Sequence, residues 1–405
     1  MPLSRPGALL TELSHALPDR PFEVRLWEGS LLPSTTGDDA PVPTFVAHSP
    51  RAIAHALYAP GQLGLSRAFV SGELEIHDFE ALARLLRTWS PPPLDAAAKR
   101  RLAVAAVKAM GLQGPPRVPD AELQPAGLRH SLRRDSRAVR HHYDLSNAFF
   151  AHFLDPSMTY SCAIFETPEQ PLEAAQANKQ ETVCRKLELA PGMRVLDVGC
   201  GWGAFALHAA RNHGVHVTGI TLSGEQAAEA RRRVAQAGMT DQIEIRVQDY
   251  RELGGERFDA VSSIGMVEHV GAVNIDAYAR TLANALEPGG WLLNHGIARL
   301  RHGDPEAGPF SERYVFADAA PLHLSRILRA IEAAGLAVRH AEGYPEHYAR
   351  TLTRWVENLE SDLEEAERLV GAERLRVWRL YLRGARNGFE SGFMSVFQVR
   401  ARKPA

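Results

Sequence analysis

The segment that most constrains this chain is 194–203, which reads Arg-Val-Leu-Asp-Val-Gly-Cys-Gly-Trp-Gly. An apolar strand built on Val195, Leu196 and Val198 runs straight into Gly199, Gly201 and Gly203, and helix-forming sequence follows. This is the first strand-to-helix turn of a doubly wound domain, where missing Cβ atoms let backbone approach a ligand closely. Asp197 sits before the glycines, at the strand end. A dinucleotide site of this type also needs a carboxylate about 20 residues later, for a ribose hydroxyl. The corresponding stretch, Thr218–Ser223, holds no acid. The pattern points to a nucleoside ligand and away from a nicotinamide cofactor. A Gly-rich turn taken alone is also compatible with a plain tight turn.

Around this turn, residues 180–300 alternate strand and helix. Strands are expected at Arg194–Val198, His216–Ile220, Ile243–Gln248, Phe258–Ile264 and Trp291–His295. Helices are expected to Asn212, over Ser223–Ala237 and over 275–286. Such alternation means a parallel sheet covered on both faces. Amphipathic helices follow near 322–334 and 349–385, and Phe393–Arg400 alternates like an added antiparallel strand. Before residue 90 the texture differs. Phe22–Trp27 and Thr44–Ala47 read as strands, and Pro50–Tyr58 and Phe79–Trp89 as helices. A helix near 95–110 and a Gly/Pro-rich linker, Gly111–Pro119, end this part. At 405 residues, two domains are expected, 1–120 and 121–405.

Three cysteines, none in a Cys-x-x-Cys pair, make no disulfide framework and suit a reducing cytoplasm. No metal-ligand spacing stands out. The N-terminus does not read as a signal peptide, and no stretch approaches the ~20 apolar residues of a membrane span. The net charge of −2 excludes a global attraction to polyanions. Locally, however, residues 99–142 hold ten Lys or Arg and three acids. A helix over 128–141 would put Arg129, Arg133, Arg137 and Arg140 on one face. The segment lacks interleaved aromatics, so nucleic acid is not an expected partner.

Several further motifs agree with one another. They are His141-His142-Tyr143-Asp144-Leu145-Ser146-Asn147-Ala148-Phe149-Phe150 and Leu154-Asp155-Pro156-Ser157-Met158-Thr159-Tyr160-Ser161-Cys162-Ala163-Ile164-Phe165. Next come Gly219-Ile220-Thr221-Leu222-Ser223 with Gln226, and Gln248-Asp249-Tyr250. Gly265-Met266-Val267-Glu268-His269-Val270-Gly271, Leu292-Leu293-Asn294-His295-Gly296-Ile297 and His347-Tyr348-Ala349-Arg350-Thr351-Leu352 follow. Together with the glycine turn, this set resembles the cyclopropane-fatty-acyl-phospholipid synthase family, strongly over about 130–400 and more loosely before. The resemblance implies a class I S-adenosylmethionine-dependent methyltransferase: a Rossmann-like α/β domain with a seven-stranded, mostly parallel sheet. A smaller α+β, largely helical N-terminal domain would assist lipid binding.

The family's reaction transfers the sulfonium methyl to a cis double bond of an unsaturated phospholipid acyl chain. It leaves a carbocation, and loss of a proton from the added methyl closes a cyclopropane. Carried over residue by residue, the resemblance implies a bicarbonate base held by Cys162, Glu268, His295, Tyr348 and the backbone of Ile297. Tyr160 and Ser161 would reach the methionine end of the cofactor. Asp197, Gly199, Gly201, Gly203, Leu222, Asp249 and Ile264 would also line its site. Thr221 and Gln226 would replace the missing acid at the ribose, and Tyr250 would lie along adenine. His142, Tyr143 and Phe150 would roof the substrate site.

The departures also carry information. The family writes His-Thr-Ile where this chain has His295-Gly296-Ile297, and Tyr-Ile-Phe-Pro-Asn-Gly where it has Tyr314–Ala319. The short loop between Ile297 and Tyr314 argues against a mycolate-type enzyme. The wording around Leu293-Asn294-His295 and 376–390 resembles an actinobacterial branch. In that branch the product can be a 10-methylene chain, with a separate reductase as partner. A small-molecule O- or N-methyltransferase would use the same cofactor loop, but Cys162, Glu268, His295 and Tyr348 together argue against it. A homodimer, lying peripherally on the inner leaflet of the cell membrane, is the implied assembly.

Overall fold

The structure, a computed structural model, describes residues 5–37, 41–111, 113–123, 146–303, 308–316 and 321–405. His142, Tyr143 and the expected Arg129–Arg140 face lie outside the described residues. The chain divides into two compact units. The first takes in residues 1–123 together with 308–314 and 371–387; the second holds the remainder. The two short later segments fall in what the sequence reads as the catalytic part.

The first unit has a four-stranded sheet ordered β2-β1-β3-β4, from β1 (Glu23–Arg25), β2 (Leu31–Leu32), β3 (Thr44–Ala47) and β4 (Leu74–His77). Helix Pro50–Tyr58 begins with the Ser49 hydroxyl accepting from Arg51 N and proline in its first turn, both standard start signals. Leu10, Leu26, Leu32, Ala47, Ala52, Ala68 and Leu74 close the core of this unit. Helices Arg5–Ala16 and Gln62–Val70 and strand β4 lie outside the elements expected from the sequence.

In the second unit, β5 (Arg194–Val198), β6 (His216–Thr221), β7 (Ile243–Val247), β8 (Phe258–Ile264), β9 (Leu286–Arg299), β10 (Ala337–Gly343) and β11 (Met394–Arg402) form one sheet. Its order is β10-β11-β9-β8-β5-β6-β7. β5 to β9 pair in parallel, and β11 runs antiparallel to both β9 and β10. The chain winds from β5 outward through β6 and β7, then returns to the other side of β5 as β8. A crevice therefore opens at the carboxyl ends of β5 and β8, where open α/β sheets bind ligands.

Alternation along β5 assigns its faces. Leu196 and Val198 enter the core with Tyr278, Leu282 and Leu292. Val195 enters the opposite core with Val183, Leu187 and Phe205. Asp197, two residues from Val195, shares that second face.

Three expectations need correction. The helix expected at 275–286 spans Gly271–Asn284. The single helix expected over 349–385 is three: Pro345–Ser361, Leu363–Val370 and Ala372–Glu390. Amphipathic spacing continues across the breaks, but Asp362 caps the second helix through Glu365 N, and Gly371 takes φ +80° before the third. β9 also extends beyond the expected Trp291–His295 at both ends.

Candidate active site

The glycine turn after β5 is held in a left-handed backbone, with φ of +80°, +55° and +81° at Gly199, Gly201 and Gly203. Side chains are disfavoured at such angles. The N–H groups of Gly199 and Cys200 both donate to Ile220 O, at 2.9 and 3.0 Å, which ties the turn to β6. Beside it opens a cleft. Its wall includes Tyr160, Ser161, Asp197, Gly199, Gly201, Thr221, Leu222, Gln226, Tyr250 and Ile264. The Thr221 hydroxyl donates to Gln226 Oε1 at 2.9 Å. A Cβ on Gly201 would stand 4.0 Å from Gln226 Nε2, so the amide end of Gln226 faces the turn. Thr221 and Gln226 thus form one polar unit in the place where a dinucleotide site keeps its acid. Tyr250 is buried and meets the Tyr278 ring edge-on at 5.4 Å.

The sequence reading missed one wall of this cleft. Helix Leu172–Lys186 buries Gln176, Lys179 and Gln180 on one face, at i, i+3 and i+4. Gln176 Nε2 donates to Ser161 O at 2.8 Å. Lys179 Nζ donates to Ser161 Oγ at 3.0 Å, and Gln180 Nε2 to Thr159 Oγ1 at 3.3 Å. These bonds shape the loop that carries Tyr160 to Cys162. Burial draws Lys179 down to about 8. It pushes Asp197 up to about 7, against the attraction of Lys179. Asp197 is buried beside Ser262 of β8, its register partner, whose hydroxyl favours the charged carboxylate. Leu172, Ala175, Val183 and Cys184 are buried on the same helix, so the signal available in the sequence is a set of long polar residues set within an apolar stripe.

A second cluster forms where β8 ends beside β9. Glu268 lies in the 3₁₀ turn Val267–His269 after β8. Its Oε1 accepts from Ile297 N at 2.7 Å, and its Oε2 is buried without a partner. Burial pushes the carboxyl up to about 7. His295, on β9, pairs in register with Gln398 of β11. Lys186 Nζ donates to Gln398 Oε1 at 2.6 Å. The amide nitrogen must therefore face His295 Nδ1, 3.2 Å away. An ammonium only donates, so the orientation of Gln398 is fixed, Nδ1 accepts and Nε2 carries the proton. Burial holds the imidazole neutral, down to about 3, and Nε2 has no partner.

Cys162 is fully buried, and burial pushes its thiol well above the ordinary range. Its Sγ lies 3.9 Å from Tyr344 O, and Tyr344 N donates to Val396 O at 2.9 Å. Val396 is the register partner of Ile297. Contacts thus run from Cys162 through β11 and β9 to Glu268. Helix Pro345–Ser361 carries Tyr348, whose ring lies 4.5 Å from that of Phe389. The same helix anchors the Cys162 loop, through Ala163 N to Thr351 Oγ1 at 3.0 Å and Phe165 N to His347 Nδ1 at 3.0 Å.

Some expected residues stand elsewhere. Asp249 lies outside the cleft wall, with its two oxygens engaged by Arg251. Gly203 is the helix N-cap, where an added Cβ would touch Ala230 at 3.4 Å. Phe150 is fully buried, 4.8 Å from the Trp202 ring and 5.5 Å from that of Tyr160, and serves as core behind the cleft. Ile297 contributes its N–H to Glu268. Gly296, where the family writes Thr, is explained by its neighbour: a Cβ there would meet Val267 Cγ1 at 2.2 Å.

Comparison with known proteins gives a consistent result. The mycolic acid cyclopropane synthetase family profile matches residues 130–399. A probable fatty acid methyltransferase of Mycobacterium tuberculosis is 39% identical over 407 residues, covering 98% of this chain and 94% of that protein. The cyclopropane-fatty-acyl-phospholipid synthase of Escherichia coli K12 is 31% identical over 340 residues, 84% of this chain and 82% of that one. A mycolic acid cyclopropane synthase solved with S-adenosylhomocysteine and CTAB superposes with a TM-score of 0.63 at 32% identity, over 66% of this chain and 98% of that one.

Proposed function

The chain belongs to the mycolic acid cyclopropane synthetase family, and from that premise we propose that it methylates the cis double bond of unsaturated phospholipid acyl chains, closing a cyclopropane. The observation that carries this reading is the pair of buried polar atoms without partners, Glu268 Oε2 and His295 Nε2, on adjoining segments next to the cleft. Bound S-adenosylmethionine supplies an electrophilic methyl on its sulfonium. The glycine turn, the Thr221–Gln226 pair and the buried Asp197 carboxylate in the cleft wall fit that ligand.

An alkene is a weak nucleophile, and the product of its attack is a cation on the acyl chain. The protein's part is to position the reactants, exclude water and hold negative charge where the cation forms. Glu268 is the buried acid suited to that charge, and Ile297 N–H fixes its direction. Burial leaves His295 a neutral Nε2–H donor and Cys162 a neutral thiol, and Lys179 brings positive charge nearby. That donor set fits a small anion. Bicarbonate held among Cys162, Glu268, His295, Ile297 and Tyr348 would supply the base.

Substrate access is proposed through the first unit, at the cytoplasmic face of the membrane. Among the described residues, no helix is long and apolar enough to cross a bilayer. Leu31, Tyr58, Leu65, Leu86, Val104 and Val107 are exposed large apolar side chains in the first unit. Helix Ala96–Met110 sets Arg100, Val104, Val107 and Lys108 on one exposed face, a basic and apolar mixture suited to an anionic lipid surface. A homodimer is part of the same proposal.

A second outcome, a 10-methylene chain with a separate reductase completing a methyl branch, is favoured by the 39% identity to a probable fatty acid methyltransferase. The two products are isomers, so mass does not distinguish them. Dioleoyl phospholipid vesicles incubated with protein and S-adenosylmethionine are expected to give shielded ring protons in the NMR spectrum of the recovered lipid. Vinylidene protons would establish the second outcome, and unchanged lipid would overturn both.

A further inference from the structure

We propose that Cys184, His208, His213 and Glu181 form a binding site for a zinc-class divalent cation, separate from the methyl-transfer site. One donor atom from each of Cys184, His208 and His213 lies within 4.8 Å of the others. Glu181 Oε2 joins the two rings, 3.2 Å from His208 Nε2 and 3.0 Å from His213 Nε2. Two imidazoles converging on one carboxylate oxygen beside a thiol is a donor set of the borderline-soft kind that zinc takes.

Two helices supply it. Glu181 and Cys184 are one turn apart on Leu172–Lys186. His208 lies on Ala204–His213, and His213 ends it, before Gly214 at φ +64°. These helices pack on the same side of β5, and the first carries Lys179 and Gln180 into the cleft. Bond lengths of about 2.0–2.3 Å to a tetrahedral zinc put ligand atoms about 3.3–3.8 Å apart. The widest present separation must therefore close by roughly 1 Å, within reach of side-chain rotation. Cys184 is fully buried, whereas the Glu181 side chain is 40% exposed, so the site has a dry thiol at its base and an open edge for entry. Binding displaces the thiol proton, and Glu181 passes from accepting the imidazole hydrogen bonds to completing the coordination. The consequence for the fold is a clamp between two helices that frame the cleft. The spacing, Glu-x2-Cys and His-x4-His separated by 23 residues, matches no familiar zinc signature.

The test uses the untagged, full-length chain, stripped with chelator and titrated with Co²⁺. One equivalent is expected to give a thiolate-to-cobalt charge-transfer band and the intense visible bands of a tetrahedral site. Zn²⁺ should abolish both and raise the thermal midpoint. Cys184→Ser is expected to remove the charge-transfer band. His213→Ala, at a partly exposed helix end, should weaken binding at least roughly tenfold while leaving S-adenosylhomocysteine binding intact. If Cys184→Ser does not fold, His213→Ala carries the test alone. Featureless absorption with native protein, or an unchanged spectrum in His213→Ala, would overturn the proposal.

Discussion

The proton on His295 is placed by a residue behind it. Because Lys186 claims the oxygen of Gln398, the amide nitrogen faces His295 and leaves the Nε2 proton pointing into the site. Gln398→Glu would present an acceptor instead, move the proton to Nδ1 and raise the imidazole's affinity for a second one. Turnover is expected to fall about 10–100-fold with S-adenosylmethionine affinity unchanged. The ¹⁵N shifts of His295 in the two proteins would check the exchange of tautomer.

Glu268 gives a second prediction. Its folded value of about 7 lies above its ordinary 4.5, so folding disfavours the charged form, which is still present at and above neutral pH. The stability it contributes is complete below pH 4.5 and is lost as pH rises through 7. Glu268→Gln, neutral at every pH and still able to accept from Ile297 N, is expected to gain about 3 kcal/mol over the native chain between pH 4.5 and 8. Urea midpoints across that range measure it; parallel curves would refute the assignment. Glu268, Cys162 and His295 were legible in the sequence as motif positions. Gln398, Lys186 and Lys179 were not, because they act through contacts between elements far apart in the chain.

Among the elements, β9 bears most on the chemistry, since His295, Gly296 and Ile297 follow one another along it. The departure at Gly296 is a packing pair with Val267. Gly296→Ala is expected to cost about 1–3 kcal/mol through overpacking, and Val267→Ala in the same chain should recover most of that loss. Thermal unfolding of the two single variants and the double variant would show it as non-additivity. Strands β5 and β8 were legible as short apolar runs bounded by glycine and polar turns, and the edge strand β7 by its alternation of Ile and Val with Glu and Arg. Helix Leu172–Lys186 was not, since Gln176, Lys179 and Gln180 interrupt the apolar stripe of Leu172, Ala175 and Val183. The division of 345–390 into three helices was also hidden, because a continuous amphipathic stripe records burial and not backbone breaks.

For the whole molecule, two predictions follow from the division into units. S-adenosylhomocysteine at about a hundred times its Kd should stabilise the cleft-bearing unit by about 2.7 kcal/mol, a rise of roughly 5–11 °C in its unfolding midpoint. Reversing the charges at Arg100 and Lys108 should weaken co-sedimentation with anionic vesicles by roughly tenfold or more, at ~1 kcal/mol for each basic residue. Salt-insensitive, unchanged binding would remove that helix from the membrane contact. The existence of two units was legible in the change of texture along the chain, but the membership of the first was not. Its sheet and helices are completed by residues much later in sequence. Glu122 accepts from both Arg67 and Tyr314. Glu373 accepts from Ala121 N, Arg376 reaches Glu75, and Arg386 reaches Glu80. A gene cut after residue 123 would encode this unit without its later ties, and a gene begun there would carry those ties with nothing to bind. The unit is therefore poorly suited to shuffling as a cassette, and the two halves are expected to descend together.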